Sequence, residues 1–259
     1  MLFRSVRDAA LVLAALAGAD VRDAVTQTLP AEFAAKVAAP LPVGALKGAR
    51  IGVLGGNAGA KKGPDKIFAA ALDVLRTAGA EVIEVGEVAG LASVGAARTD
   101  VMLFEMKAGI NAYLAELAPD APIKTMADVI KYNDEHWAKE QPLFGQQYFT
   151  RSNAKGPLTE PAYLEALEKC RRVSRAEGID ALMDKHRLDA LVGGGVTLAA
   201  MAGYPSVTVP IAGATEMPAG FLFFGRAWSE AKLLALAADF EARTKGRREP
   251  KFLPTLTPP

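Results

Sequence analysis

The sequence predicts an α/β fold in which helices flank a mixed, mainly parallel sheet and a helical insertion interrupts the chain. Three observations lead to this prediction. A strand, a helix and a strand follow one another between residues 49 and 85, which implies a parallel pair. Three more short apolar runs lie between 189 and 224, and residues 100–186 look mostly helical. We therefore expect one α/β domain over 1–259 with the insertion at 100–186.

The elements before the insertion follow from periodicity and from breaking residues. Residues 5–17 predict a helix, and residues 20–47, with several aspartates and prolines, predict a connector. An apolar run at 49–54 predicts a strand. Pro64 opens a helix that Gly79 ends, and residues 81–85 predict the next strand.

The insertion should hold four helices. Asp100 is a candidate N-cap for a helix through 117, and further helices are expected at 125–133, at 139–152 and from Pro161 onward. After it, strands are expected at 189–192, 206–211 and 220–224. Ser229 should cap a last helix, whose expected core residues are Leu233, Leu236, Ala237 and Phe240.

Composition excludes several classes of protein. Apolar residues make up 51% of the 259 residues and charged residues 23%, which is too apolar for a disordered chain. A net charge of +1 provides no field for nucleic acid, and no apolar run approaches the roughly 20 residues that span a bilayer. The single cysteine, Cys170, excludes an internal disulfide.

The N-terminus allows two interpretations. Arg4 and Arg7 precede the apolar stretch 9–19, which ends in Ala-Gly-Ala and has the shape of a secretory signal. Asp8 and the richness in alanine favour a buried helix instead. We expect a cytoplasmic protein, with secretion as the alternative.

Two glycine-rich segments are candidate ligand sites. The segment 55–63 follows a strand and precedes a helix, where phosphate loops occur, but it matches neither the phosphate-loop nor the dinucleotide pattern. A flexible connection with solvated Lys61 and Lys62 is the simpler interpretation. Gly193–Gly195 ends a strand, which is a common position for a site but carries no chemistry of its own. We predict no cofactor.

Metal binding and thiol chemistry find little support. His136 and His186 are the only histidines, lie outside any cluster of ligands and are expected at the surface. Cys170 falls on the apolar side of a helix, so it should be buried and inert. Glu105 and Lys107 are expected to be solvated.

The serines offer no nucleophile. None of the six lies in a Gly-x-Ser-x-Gly elbow. Ser206 is expected to be packed and hydrogen-bonded, and Ser229 to be a helix cap. We therefore predict no catalytic, cofactor-binding or metal-binding residue, and we assign no substrate-binding residue.

Several stretches resemble the amidase signature family, nearest to its peptide-amidase-like members. The most specific are Ala202-Gly-Tyr-Pro-Ser-Val-Thr-Val-Pro210 and the strand and helix within Gly220–Leu234. Further similarity lies in Arg4–Gly18 with the aspartates after it, and in Leu46–Val53, Leu103–Leu114 and Phe144–Gln146. The resemblance covers nearly the whole chain but only the later part of the family's domain, so it implies an incomplete amidase-signature fold.

The resemblance implies that the family's reaction, amide hydrolysis, is the ancestral activity, but it assigns no catalytic residue to this chain. In the family a lysine acts through a bridging serine on a second serine, and glycine N–H groups hold the oxyanion. These residues are expected to precede this chain, which contains no Gly-Ser-Ser segment, and Lys61 and Lys62 match nothing in the motif. Gly193–Gly195 also replaces a Pro-Thr segment and a long loop that border the family's substrate pocket.

Two functional hypotheses follow. The chain is the C-terminal portion of an amidase for a small-molecule or peptide amide, inactive alone, with an N-terminal amidase half or further copies as partners. Alternatively, it is a non-catalytic α/β protein that binds a small ligand or a partner.

The first prediction concerns association. We expect the isolated chain to oligomerise or aggregate, because a missing half leaves apolar faces and strand edges exposed. Light-scattering chromatography measures this, and a sharp monomer peak contradicts it.

Overall fold

The computed structural model describes residues 3–55, 66–117, 120–140, 143–194, 196–211 and 219–249. Over these residues, five strands form one sheet in the order β2-β1-β3-β5-β4. The strands are β1 (Arg50–Leu54), β2 (Glu81–Gly86), β3 (Ala190–Gly193), β4 (Ser206–Ile211) and β5 (Ala219–Phe224). Strand β1 is parallel to β2 and β3, whereas β5 is antiparallel to β3 and β4. Four strands therefore run in one direction, which confirms the predicted mixed, mainly parallel sheet.

Eleven α-helices lie in the described part of the chain. They are α1 (Val6–Leu16), α2 (Phe33–Ala38), α3 (Lys66–Thr77), α4 (Gly95–Ala115), α5 (Met126–Glu135), α6 (Trp137–Glu140), α7 (Gln147–Asn153), α8 (Pro161–Ser174), α9 (Asp180–His186), α10 (Val196–Ala202) and α11 (Glu230–Thr244). A turn of π-helix, Arg175–Ile179, joins α8 to α9. None of these helices combines the length and the apolar character needed to cross a bilayer.

The chain divides into two compact units. One comprises Met1–Val88 with Ser174–Pro259 and contains the sheet, and the other is the helical unit Ala89–Val173. The predicted single domain with an insertion at 100–186 stays a prediction about domain organisation.

One face of the sheet is covered by helix α11. Phe240 stacks on Phe221 of β5 with ring centroids 4.9 Å apart, and it meets Phe223 edge-on at 5.6 Å. The four residues of α11 expected in the core are all buried. Helices α1, α2 and α3 pack beside α11, so this face carries the hydrophobic core of the sheet unit.

The opposite face is covered only in part. Along β4, Ser206, Thr208 and Pro210 are exposed, while Val209 between them is buried on the α11 side. Their partners on β5 share this face, because directly paired residues point the same way. The sheet therefore presents an uncovered surface along β4.

The N-termini of α5 and α4 differ in whether a polar side chain caps the helix. Thr125 and Asp128 form a reciprocal capping box at α5. Asp100, by contrast, is not a cap: the 3-10 turn Leu91–Val94 runs directly into α4, which begins at Gly95. Asp100 instead accepts a hydrogen bond from Lys155 Nζ at 2.7 Å.

Two further expectations are corrected. The connector 20–47 contains α2, which forms because Phe33 and Val37, four residues apart, bury one face against the core. The helix expected at 139–152 is divided between α6 and α7, in keeping with Pro142 in the sequence.

A buried carboxylate ties α11 to the chain that enters β1. Asp239 is 6% exposed. Its carboxylate accepts a hydrogen bond from the backbone N–H of Leu46 at 3.0 Å and another from Arg243 Nε at 3.0 Å. The Leu46 side chain is fully buried, so its amide depends on this one carboxylate rather than on water.

We expect Asp239→Ala to lower the free energy of unfolding by about 1–3 kcal/mol, because it leaves the buried amide of Leu46 without its acceptor. Asp73→Ala is the matched control. It removes an exposed ion pair with Arg76 and should cost less than about 1 kcal/mol. Urea unfolding of both variants measures the difference, and equal losses refute the role given to Asp239.

Candidate functional site

Glycines form the edge where the parallel strands β1, β2 and β3 end. Strand β1 is followed by Gly55, β2 ends at Gly86 and β3 ends at Gly193. In open α/β sheets, ligands bind outside the carboxyl ends of parallel strands. The structure thus places the first residue of the predicted Gly193–Gly195 segment at such an edge, while Gly195 lies outside the described residues.

The glycines permit close contact between the strand ends. Gly55 donates its N–H to the carbonyl of Gly86 at 2.7 Å, and a Cβ on Gly55 would lie 3.2 Å from the Gly86 backbone. Gly193 has a φ of +115°, and a Cβ there would lie 3.1 Å from the Leu54 carbonyl oxygen. The backbones of these strand ends therefore approach one another without side chains between them, and the Gly55 N–H and the Gly86 carbonyl bond to each other. Most of the 55–63 segment, with Lys61 and Lys62, lies outside the described residues.

A second feature is the turn that leads into β4. Arg175 donates from Nε to the carbonyl of Ala202 at 2.7 Å, and its guanidinium lies over the Tyr204 ring, 5.5 Å from the centroid. The Tyr204 hydroxyl donates to Asp180 Oδ2 at 2.8 Å. Burial, and then the bond to Asp180, raise the pKa of the Tyr204 phenol, so this donor keeps its proton at neutral pH.

A second arginine extends this cluster. Arg226 donates to the carbonyl of Asp180 at 3.3 Å and forms an ion pair with Asp184. The π-helical turn, α9 and the segment after β5 are thereby joined to the Gly-Tyr-Pro turn. We call Arg175, Asp180, Tyr204 and Arg226 the turn clamp.

The glycine edge and the start of β4, which follows the turn clamp, lie apart in the sheet. Leu191 and Ser206 both pair with Phe224, so Ser206 lies level with Leu191, two residues before Gly193. Strand β5 separates β3 from β4. From strand spacing and rise, the backbones of Gly193 and Ser206 are about 12 Å apart. A single small reacting group therefore cannot contact Gly193 and Ser206 at the same time.

The serines occupy different environments, and two expectations about them are corrected. Ser206 is exposed on the uncovered face rather than packed, since it lies at the start of an edge strand. The Ser229 hydroxyl donates to the Arg226 carbonyl at 2.7 Å instead of capping α11, although Ser229 does precede that helix.

The other serines form hydrogen bonds with the backbone or are buried. Ser5 accepts the N–H of Asp8 at 3.1 Å and so caps α1, and the Ser93 hydroxyl donates to the Gly90 carbonyl at 2.7 Å. Ser152 and Ser174 are fully buried. The hydroxyl of Ser152 has no hydrogen-bond partner in the described part of the chain.

The histidines and the cysteine have structural environments. His136 is exposed and stacks on Tyr132 with centroids 4.1 Å apart. His186 is half-buried rather than on the surface, and its backbone carbonyl accepts hydrogen bonds from the Arg50 guanidinium. Cys170 is 3% exposed, and burial raises the pKa of its thiol. In the described residues, no group of three or more His, Cys, Asp and Glu could hold a metal.

Within the helical unit, Glu105 is exposed as expected but also bonded, whereas Lys107 is half-buried and bonded rather than simply solvated. Glu105 accepts the Tyr163 hydroxyl at 2.8 Å, and Lys107 Nζ donates to the Asn153 carbonyl at 2.9 Å and to the Lys155 carbonyl. A cation beside the last carbonyls of a helix stabilises its end, so Lys107 holds the end of α7.

Sequence reasoning missed the turn clamp. Arg175, Asp180 and Arg226 lie in ordinary helical or loop patterns, and only the Gly203-Tyr-Pro sequence marked the turn that they hold. Gly203 has a φ of +64°, which glycine accepts without strain.

Known amidases are similar to this chain in sequence and in fold. The chain is 33% identical over 262 residues to a probable amidase of Arabidopsis thaliana, covering 96% of this chain and 49% of that protein. The native peptide amidase from Stenotrophomonas maltophilia is 38% identical with a TM-score of 0.85, covering 96% of this chain and 54% of that one. An amidase family protein from Bacillus anthracis, 23% identical with a TM-score of 0.80 over 96% of this chain and 49% of that one, shares the fold.

The chain therefore spans about half the length of the relatives that it matches. No protein-family model matches it.

We expect Gly193→Ala to destabilise the sheet unit by about 1–3 kcal/mol, because alanine must adopt a φ of +115° with its Cβ against the Leu54 carbonyl. Gly18→Ala is the control, since a Cβ there has open space. Thermal unfolding of both variants compares them. Equal stability of Gly193→Ala and the parent protein refutes the assignment of strain to this edge.

Proposed function

Because the chain belongs to the amidase signature family, we propose that it is the part of an amide hydrolase that scaffolds the catalytic site without supplying its nucleophile. One observation carries the proposal: nearly all of this chain matches only about half of an amidase, with a TM-score of 0.85. The other part of the family's domain would supply the lysine and the two serines.

The environments of the serines support this proposal. A serine attacks an amide only when a base takes its proton. The hydroxyls of Ser93 and Ser229 donate to backbone carbonyls, and that of Ser5 caps a helix. Ser206 is exposed at the start of an edge strand, about 12 Å from the glycine edge by strand spacing.

We assign two scaffolding roles to this chain. The glycine edge would form one wall of the site, since its backbone groups approach without side chains, and the turn clamp would fix the start of β4. The substrate class is an amide, and a peptide amide is favoured because a 38% identical relative is a peptide amidase.

For location, we propose that the alanine-rich N-terminal stretch is part of the folded domain. Val6 and Ala10 are buried in the core of the sheet unit, and the backbone N–H of Val6 donates to the Glu241 carboxylate. This supports the buried-helix interpretation of residues 5–17 and, with it, a cytoplasmic protein.

The direct test uses a fluorophosphonate probe, which labels an activated serine without requiring the substrate. We expect no adduct on the folded chain, with peptide mass spectrometry as the readout and far-ultraviolet circular dichroism confirming the fold. Ser206→Ala is the matched control, because Ser206 is the exposed serine in the family-like segment. An adduct at Ser206 that unfolding abolishes contradicts the proposal.

A second experiment tests whether this chain scaffolds the catalytic site. The full chain is co-expressed with the part of the Stenotrophomonas maltophilia peptide amidase that lies outside the aligned region. We expect hydrolysis of a peptide amide and a probe adduct on the amidase part only when both chains are present. Activity of the amidase part alone, equal to that of the mixture, refutes the role.

A further inference from the structure

An exposed group of rings lies on the helical unit where α5 ends. Tyr132 stacks on His136 at the end of α5, and Trp137 begins α6. Leu143 and Phe144 follow in the segment before α7, and Phe144 is 82% exposed. We call Tyr132, His136, Trp137, Leu143 and Phe144 the aromatic corner.

The Gln146 side chain fixes the segment before α7 against α5. Its Nε2 donates to the Ile130 carbonyl at 3.2 Å and to Asp134 Oδ1 at 2.6 Å. Its Oε1 accepts a hydrogen bond from Asn133 Nδ2 at 3.2 Å. Three hydrogen bonds to one half-buried side chain therefore hold this segment in one position.

The same segment lies close to Trp137. A Cβ on Gly145 would lie 4.0 Å from Trp137 Cη2. Phe144 precedes Gly145, so the exposed rings of Phe144 and Trp137 belong to neighbouring stretches of fixed backbone. A preorganised surface of this kind loses little conformational entropy when a partner covers it.

The apolar area of the corner is large for a free surface. Its tyrosine, tryptophan, leucine and phenylalanine side chains are between 42% and 82% exposed. This leaves on the order of 500 Å² of apolar area, whereas the largest apolar patch of a typical monomer measures about 300–600 Å² and is often functional. Tyr, Trp and Phe are also enriched in the cores of protein interfaces.

The charges beside the corner are balanced. Lys131 and Lys139 are exposed on α5 and α6, and so are Asp134 and Glu135. Lys131 Nζ lies 3.9 Å from Glu135 Oε1. A two-fold interface brings the same patch of two copies together, so a rim of one sign would repel itself. Two cations and two anions allow each charge to meet its opposite across the axis.

The size of the corner also matches one side of a dimer interface. A standard interface covers about 800 Å² on each partner, of which about 56–65% is apolar. The corner supplies roughly this apolar share, and its charged rim can supply the polar remainder.

We propose that the aromatic corner packs against the aromatic corner of a second copy and forms a two-fold symmetric dimer. Rings on both sides make the contact self-complementary, because aromatic pairs pack well in offset and edge-on arrangements. The inference goes beyond the proposed function, since the dimer does not depend on amide hydrolysis.

Sedimentation equilibrium of the full chain tests the dimer. We expect a mass that rises with concentration and stops at two copies, because a closed two-fold contact leaves no free patch. Association through strand edges would instead continue beyond two copies. A single copy at every concentration up to about 100 μM contradicts the inference.

A pair of variants locates the contact. Phe144→Ala should raise the dissociation constant of the dimer by about tenfold or more, since it removes the most exposed ring of the corner. Leu16→Ala is the matched control, because Leu16 is 64% exposed on α1 of the sheet unit, and its truncation should change the constant by less than about twofold. An unchanged constant for Phe144→Ala overturns the inference.

Tryptophan fluorescence gives a readout without a change at the corner. Trp228→Phe leaves Trp137 as the one tryptophan of the chain, and phenylalanine keeps an aromatic ring beside Phe33. We expect iodide quenching of Trp137 to fall by about twofold or more as the dimer forms, because an interface core excludes water. Unchanged quenching in the dimer places the interface elsewhere and overturns the inference.

The remaining part of an amidase is the competing occupant. The quenching is therefore repeated with the unmatched part of the Stenotrophomonas maltophilia peptide amidase, at concentrations where this chain alone is a single copy. Protection of Trp137 under these conditions assigns the corner to that part and refutes the second copy. Protection that depends only on the concentration of this chain supports the dimer.

Discussion

The packing of Phe240 against Phe221 and Phe223 is the contact on which the sheet unit depends. It fixes α11 across β5, and α11 in turn packs against β4, α1, α2 and α3. Stacked and edge-on aromatic pairs add specific geometry to the burial of large apolar area. Because all of this cover lies on one face, Ser206, Thr208 and Pro210 on the other face of β4 stay exposed in the described part of the chain.

The sequence predicted the strands well because each is a short apolar run between breaking residues. The apolar runs predict β4 at its observed bounds, Ser206–Ile211, and β5 within one residue of its observed bounds, Ala219–Phe224. Local capping signals were weaker guides. Asp100 and Ser229 have good N-cap side chains, yet tertiary contacts use them otherwise: Asp100 pairs with Lys155, and Ser229 bonds to Arg226. A cap preference of about 1 kcal/mol is easily outweighed by such contacts.

The candidate site was predictable in position but not in composition. Glycine at the end of an apolar run suffices to place Gly193 at a strand terminus. The turn clamp was invisible, since Arg175 and Tyr204 are 29 positions apart and meet only because the π-helical turn and the β4 entry lie side by side. Likewise, the exposure of Ser206 depends on which strand lies at the sheet edge, and periodicity within one strand does not encode strand order.

Strand order also explains why a proline is tolerated in β4. Within a central strand, Pro210 would remove a ladder bond. Here it occupies a non-hydrogen-bonded position toward β5, so the β4–β5 ladder stays complete, and only an incoming strand would lack one donor. Gly225 donates its N–H to the Pro205 carbonyl, so Ser206, Thr208 and Pro210 all occupy these alternate positions. The N–H groups of Ser206 and Thr208 therefore point to the open side of β4, where Pro210 offers only a carbonyl.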